Sequence, residues 1–167
     1  SVETGHHDRI EDLDRIADLG IRTLRYPVLW EAVSPDTPDN ADFTWHDARI
    51  ARLRALGIRA IAGLCHHGSG PHYTSLVQDN FAAGLAAHAA AVARRYPWVR
   101  DWTPVNEPLT TARFSALYGV WFPHARSDRA FARALLHQVQ AIAQAMAAIR
   151  REIPGARLVQ TEDLGFT

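Results

Sequence analysis

A short segment in the middle of the chain carries the residues best suited to chemistry. The sequence WVRDWTPVNEPLTT covers residues 98–111, and its strand-like apolar part stops at Asn106, Glu107 and Pro108. A proline pushes the preceding residue out of the right-handed helical region, so we predict that Glu107 is the last extended residue of a strand. A carboxyl group at the lip of a strand could transfer protons as a general acid or base. It could equally be solvated or paired with a nearby arginine.

The composition limits the classes of function that need to be considered. The chain has 167 residues, of which 47% are hydrophobic, and its 18 basic residues balance 18 acidic ones. One core can therefore form, and no net charge attracts nucleic acid or a membrane surface. The single cysteine, Cys65, excludes an internal disulfide and suits a reducing compartment. We predict one domain over residues 1–167, without nucleic acid or membrane partners, in the cytoplasm.

A pattern of helix, breaker and strand occurs four times and would position such side chains. Apolar residues at helical spacing lead to a Gly or Pro breaker, after which come an apolar residue, an arginine and a strand. The second predicted helix carries Trp45, Ala48, Ala51 and Ala55 on one face, with Ile50, Leu53 and Leu56 beside it. The fourth carries Phe131, Leu135, Val139, Ile142, Met146 and Ile149. Such repetition predicts parallel strands joined by right-handed crossovers.

Two α/β architectures use this unit, the open doubly wound sheet and the eight-stranded barrel. A nucleotide-binding open sheet would need a glycine-rich turn, and the chain has neither GxGxxG nor a P-loop lysine. Polar or aromatic groups stand at the carboxyl end of each predicted strand, where a barrel gathers its active site. These groups are Arg25-Tyr26, His66-His67, Asn106-Glu107 and Glu162-Asp163. We therefore predict a partial (β/α)8 TIM barrel, about half of the complete fold.

Four motifs, in order, resemble those of family 1 glycoside hydrolases, the β-glucosidase family. LRYPVLWEAVSP resembles the second-strand segment, LCHHGSGP the end of the third strand, and DWTPVNEP the fourth-strand signature; LYGVWFPH stands where a Gly-x-x-x-Pro loop is expected. The resemblance covers residues 20–125 and implies strands 2 to 5 of the barrel. It implies an internal fragment of a retaining β-glycosidase with a carbohydrate substrate and no metal or cofactor. The rest of its own chain would close the barrel.

The resemblance also implies roles for individual residues. Glu107 would be the general acid/base, and Asn106 would hydrogen-bond the sugar 2-hydroxyl. His67 would hold another hydroxyl of the same sugar, and Arg25 would lie beneath the site, near the nucleophile. Trp30 and His66 are further candidates for substrate binding; each could equally be a wall or packing residue. The nucleophilic glutamate would lie outside this chain, and Glu162 and Asp163 would be rim or structural residues.

Other interpretations of the same residues stay open at this point. Arg25 could pair with Glu31 or Asp36, and a histidine group of His66, His67 and His72 could bind zinc if its geometry were suitable. Where the family has Trp-Asp after its paired histidines, this chain has Gly68 and Ser69, and position 27 is proline. These departures indicate a wider or differently shaped pocket. They favour, as the alternative to hydrolysis, a sugar-binding or regulatory module that has lost catalysis.

Overall fold

The computed structural model describes residues 4–163, which form one parallel sheet and a layer of helices. The strands are β1 (Thr23–Pro27), β2 (Arg59–His66), β3 (Asp101–Asn106) and β4 (Arg157–Leu158). The longer helices are α1 (Asp12–Asp18), α3 (Thr44–Ala55), α4 (Phe81–Arg95) and α6 (Asp128–Glu152). Two short ones, α2 (Trp30–Val33) and α5 (Pro108–Ala112), follow β1 and β3, and a π-helical turn (Arg113–Leu117) continues α5.

The four strands lie in sequence order and are all parallel. β1 pairs with β2, β2 with β3, and β3 with β4, so the described sheet has the order β1-β2-β3-β4. A doubly wound sheet reverses its strand order at a switch point, whereas a barrel adds each strand to the same side of the previous one. The order of the described strands contains no reversal, as predicted for a section of a barrel.

Alternation along β1 shows how one face of the sheet is buried and the other is open. Tyr26 is buried and Leu24 partly buried, while Thr23, Arg25 and Pro27 are exposed. Side chains of the buried face join helix residues in one core, which includes Ala62, Leu64, Trp102, Leu85 and Ile149. In β3, Pro104 has no N–H to donate to a neighbouring strand, and the pairing of β2 with β3 passes from Gly63↔Thr103 to Cys65↔Val105.

Helix α3 buries one of the two apolar groups that its sequence pattern places side by side. Its buried residues are His46, Arg49, Ile50 and Leu53, whereas Ala48, Ala51 and Ala55 are exposed. Ile50 and Leu53 therefore contribute more to the packing than the alanines do. Larger aliphatic side chains remove more apolar area from water than alanines do, so burying Ile50 and Leu53 is more favourable.

Helix α6 differs from α3, because most of its buried residues are small. Alanines and a glutamine face inward at Ala134, Gln138, Ala141 and Ala145, and Val139 of the predicted stripe is 52% exposed. Small residues let helices approach closely, and α4, which packs against α6, also buries alanines. Ser127 caps the start of α6, since its side chain accepts a hydrogen bond from Ala130 N. Within residues 4–163, no helix is long and apolar enough to cross a membrane.

Candidate active site

Asn106 is the centre of a hydrogen-bond network at the carboxyl ends of the strands. Its side chain is buried, and its Oδ1 accepts from Arg25 Nη1 at 2.5 Å and from Thr161 Oγ1 at 2.9 Å. Arg25 Nη1 also donates to Thr161 Oγ1 at 3.2 Å. The side-chain hydrogen bonds of Arg25 thus go to Asn106 and Thr161, and not to Glu31 or Asp36; the arginine reaches across the sheet from β1 to β3. These bonds fix which end of the amide is oxygen.

His67 joins this network through both ring nitrogens. Thr111 Oγ1 donates to the Asn106 carbonyl at 3.2 Å, so it accepts from His67 Nδ1–H, 3.1 Å away. His67 Nε2 then accepts from Asn106 Nδ2 at 3.0 Å. The network selects a neutral imidazole with its proton on Nδ1. The backbone of His67 is left-handed, with φ 54°.

Glu107 follows Asn106 and is not extended as predicted. Its backbone is left-handed, with φ 42° and ψ 67°, and β3 ends one residue earlier, at Asn106. The rule for residues before proline excludes the right-handed helical region, and a left-handed backbone lies outside that region as well. This conformation lets Glu107 N donate to Thr161 O at 3.2 Å while Glu107 O accepts from Thr111 N at 2.9 Å. Strained backbone of this kind is concentrated at functional sites.

The Glu107 carboxyl group reaches the same cluster. Its side chain is 30% exposed, and Oε2 lies 3.7 Å from His67 Nε2, just beyond hydrogen-bond distance. The Trp121 ring lies 5.0 Å from the His67 ring between centroids and stacks on Phe114 at 4.8 Å. The Glu107 carboxyl group is therefore partly accessible to solvent and lies beside a histidine that contacts aromatic rings.

A cleft of about 330 Å³ opens next to the network, on the face of the sheet that the helices leave uncovered. Arg25, His66, Thr103 and Asn106 are among its lining residues. Partial burial lowers the pKa of His66, and the nearby His67 and Arg25 lower it further, while the Glu107 carboxylate opposes the shift. His66 is thus an uncharged wall residue around neutral pH.

Trp30 lies away from this cluster. Its ring is 3% exposed, donates from Nε1 to Tyr73 Oη at 3.0 Å and packs against Phe81 and His88. This position corresponds to the wall or packing alternative, because the structure does not bring Trp30 to the cleft.

The zinc alternative for His66, His67 and His72 gains no support from the structure. In the described part of the chain, no three His, Cys, Asp or Glu side chains form a group that could hold a metal ion.

Three residues of the site were not predicted from the sequence. Thr111, Thr161 and Trp121 all contact the Asn106–His67 network, and Thr161 follows β4, the strand next to β3. Position could have indicated Thr161, since it lies just beyond β4 and strand ends meet in a barrel. Thr111 stands one helical turn after Glu107 and could have been found by that spacing.

Sequence comparisons identify β-glucosidases as relatives, although no family model matches. A β-glucosidase of Agrobacterium sp. is 29% identical over 146 residues, which cover 81% of this chain and 31% of the relative. A 6-phospho-β-glucosidase of Dickeya chrysanthemi is 26% identical, with coverages of 92% and 35%. A probable inactive β-glucosidase of Oryza sativa is 23% identical, with coverages of 71% and 25%. The chain thus spans about a third of the length of the first two of these relatives.

Comparison with solved structures also finds β-glucosidases. The family 1 β-glucosidase of Thermotoga maritima in complex with isofagomine lactam superposes with a TM-score of 0.87, over 96% of this chain and 38% of that one, at 19% identity. The chain resembles family 1 β-glucosidases in sequence and in fold. The resemblance predicted from its motifs is confirmed, and so is the partial (β/α)8 barrel. At this identity the family 1 structures establish the fold alone, so the roles of Glu107 and its neighbours remain to be argued from the site.

Proposed function

We propose that this chain supplies the acid/base half of a retaining β-glycosidase. The observation that carries the proposal is the Asn106–Glu107 turn, which places an accessible carboxyl group beside a fixed amide at the end of β3. The network of Arg25, Thr161 and His67 around the buried Asn106 supports it, because each bond holds the amide in one orientation. The similarity to β-glucosidases in sequence and fold also supports glycoside hydrolysis.

In the proposed first step, protonated Glu107 gives its proton to the glycosidic oxygen as the bond from that oxygen to the anomeric carbon breaks. A second carboxylate, outside residues 4–163, attacks the anomeric carbon from the opposite face and forms a glycosyl-enzyme. In the second step, the Glu107 carboxylate removes a proton from water while the water oxygen attacks the same carbon. The nucleophile leaves as a carboxylate, and Glu107 is protonated again for the next cycle.

The neighbours of Glu107 have supporting roles in this proposal. Asn106 Nδ2 has two hydrogens; His67 accepts one, and the other is available for a sugar 2-hydroxyl in the cleft. Both nitrogens of His67 contact protein, so a sugar hydroxyl would reach this imidazole by replacing one of those contacts. Arg25 keeps the Asn106 oxygen occupied and directs the amide hydrogens toward the cleft. His66 would form part of the cleft wall.

The proposal also requires that residues 1–167 belong to a longer protein. The missing barrel strands would cover the open face of the sheet and bring the nucleophile, so we place residues 1–167 inside one barrel domain that the rest of its own chain completes. A carbohydrate with a β-linkage is the proposed substrate. The free, buried Cys65 suits a reducing compartment, which is our reason for proposing a cytoplasmic protein.

A stereochemical experiment tests hydrolysis directly. The full-length protein is mixed with aryl β-glycosides, and the anomeric proton of the released sugar is followed by NMR before mutarotation. Retention gives the β-anomer first. Glu107→Gln is the matched control, because it keeps the shape of the side chain and removes the transferable proton. The α-anomer as first product would overturn the retaining mechanism.

The sugar-binding alternative is favoured by one observation, the loss of the Trp-Asp pair at Gly68 and Ser69. It predicts that the full-length protein binds sugars with no turnover above the Glu107→Gln control. Calorimetric titration with the reaction product, glucose for a glucoside, would then show saturable binding in both proteins. Turnover that Glu107→Gln abolishes excludes this alternative.

A further inference from the structure

We propose that Glu162 is a positioning residue that fixes the Asn106–Glu107–Pro108 turn and, with it, the acid/base carboxyl group. The inference rests on the proposed role of Glu107 and adds a residue to it. Glu162 lies just beyond β4, whereas Glu107 follows β3, so the contact joins two adjacent strand ends. Glu162 would act through the backbone of the turn and would not touch the substrate.

The contact is made to the first available donor of α5. Glu162 Oε2 accepts from Leu109 N at 3.1 Å, across a separation of 53 residues. Pro108 is the first residue of α5 and has no N–H, and the side chain of Glu107 makes no capping hydrogen bond to the helix. Helix starts need acceptors for their free N–H groups. Glu162, from the segment just beyond β4, therefore supplies the cap that the local sequence does not provide.

A second contact from the same segment holds the turn on its other side. Thr161 O accepts from Glu107 N at 3.2 Å, so residues 161 and 162 bind the N–H of Glu107 and that of Leu109, two positions later. Between them lies the left-handed Glu107, with φ 42°. A non-glycine residue in this region is strained and keeps this backbone conformation only when its surroundings impose it. Loss of the Glu162 contact removes one of the restraints on the turn and lets Glu107 relax toward extended backbone.

The carboxyl group of Glu162 is itself fixed, which separates a positioning role from direct chemistry. Its Oε1 accepts from Asp163 N at 3.2 Å, while Oε2 is bound to Leu109 N. Both oxygens thus have backbone N–H donors, as in a cap, and the side chain is half-buried. The geometry points to restraint of the backbone as the role of Glu162.

The experiment compares three substitutions of Glu162 in the full-length protein, with Asp163→Asn as the control. Glu162→Gln keeps an oxygen acceptor at the same reach, so its kcat should stay within about twofold of wild type. Glu162→Ala removes the acceptor, and Glu162→Asp keeps the charge but is one methylene shorter. Both should lower kcat about 10- to 100-fold, because small displacements of a catalytic group have effects of this size. Asp163→Asn removes an adjacent exposed charge and should change little.

The dependence of the rate loss on the leaving group distinguishes a positioning role from a merely structural one. A merely structural role would not produce such a dependence. A displaced acid/base harms substrates with poor leaving groups, so the loss in Glu162→Ala and Glu162→Asp should be large for an alkyl β-glycoside. It should be small for the rate of glycosyl-enzyme formation from a dinitrophenyl β-glycoside. Equal losses for both substrates, or wild-type behaviour of Glu162→Asp, would overturn the positioning role. If Glu162→Ala does not fold, Glu162→Asp and Glu162→Gln still decide the question.

Failure of this inference is distinguishable from failure of the proposed function. Glu107→Ala is measured with the same two substrates. If Glu107→Ala shows the dependence on leaving group and the Glu162 variants do not, only the positioning role is wrong. If Glu107→Ala shows no such dependence, Glu107 is not the proton donor, and the inference fails together with the function on which it rests.

Discussion

Arg25 Nη1 lies 2.5 Å from Asn106 Oδ1, although 81 residues separate the two in the sequence. The contact reaches from β1 to β3, on either side of β2. Asn106 needs it because an amide can present either its oxygen or its hydrogens to a ligand. Arg25 and Thr161 occupy the oxygen, so the hydrogens of Nδ2 point elsewhere, one of them to His67.

Replacement of Arg25 by methionine should weaken the substrate interaction of Asn106. A hydrogen bond to a charged group is worth about 1.5–3 kcal/mol; at the lower end, which an exposed Arg25 warrants, kcat/KM of the full-length protein falls about tenfold. Arg22→Met is the matched control, since Arg22 lies just before the same strand, at its other end, and donates to Ala17 O and Ile21 O. Steady-state kinetics on one aryl β-glycoside measures both variants. Equal kcat/KM in Arg25→Met and wild type would contradict the role of Arg25.

Gly84, in α4, should resist a substitution that usually stabilises helices. Alanine is favoured over glycine in a helix by about 0.8–1 kcal/mol. A Cβ at position 84, however, would lie 2.6 Å from Cζ2 of Trp30, which is buried and has little room to move. Overpacking of this kind destabilises by about 1–3 kcal/mol, so Gly84→Ala should lower the free energy of unfolding in a urea titration.

A second background tests whether Trp30 is the cause. In Trp30→Leu, the aromatic ring is absent and the added methyl group has space. Gly84→Ala should then be neutral or stabilising relative to Trp30→Leu alone. The same destabilisation in both backgrounds would mean that the indole contact is not responsible.

The sequence predicted the candidate site residues but not the long-range hydrogen bonds that fix their conformation. Asn106 and Glu107 were found because a short motif and a proline mark the end of a strand, and such signals are local. The left-handed backbone of Glu107 depends on an N–H bond to Thr161, and this partner is 54 positions away. The buried position of the Trp30 ring could not be predicted, for a similar reason. Its motif predicts a tryptophan after the strand, and the packing of α4 decides where the ring lies.

Glu31 makes the folded protein sensitive to pH. Its Oε2 is buried and has no hydrogen-bond partner among the described atoms, and burial raises its pKa above the ordinary 4.5. The folded state then binds the proton more tightly than the unfolded state does. This contribution to stability is complete below about pH 4.5 and is lost as the pH rises through the higher pKa of the folded state.

Glu31→Gln removes the titration and keeps the size of the side chain. Relative to this variant, wild type should become less stable as the pH rises from about 4 to 8, in urea titrations at several pH values. Glu11→Gln, at an exposed position beside α1, is the matched control, and its difference from wild type should change less over this range. A difference between wild type and Glu31→Gln that is constant with pH would contradict the burial of an ionisable Glu31.

Glu107→Ala gives the most direct evidence on the proposed proton donor. A general acid contributes about 10²–10⁴-fold, and a leaving group that is already a stable anion needs little of it. In the full-length protein, the first step should therefore slow strongly for alkyl or disaccharide substrates and much less for a dinitrophenyl glycoside. The second step should slow for both, because the same residue is the base for the attacking water. Rapid-quench kinetics on the two classes of substrate separates the steps.

Azide distinguishes the proton donor from the other possible roles of a carboxyl group. A small anion fits the space that Glu107→Ala leaves, and it attacks without needing a base. It should therefore restore the second step and give a β-glycosyl azide, since the glycosyl-enzyme is attacked from the side that Glu107 occupied. Removal of the nucleophile would instead give an α-azide, because azide would then take the nucleophile's place on the opposite face. Equal loss for both leaving groups without any azide effect would make Glu107 a structural residue of the turn.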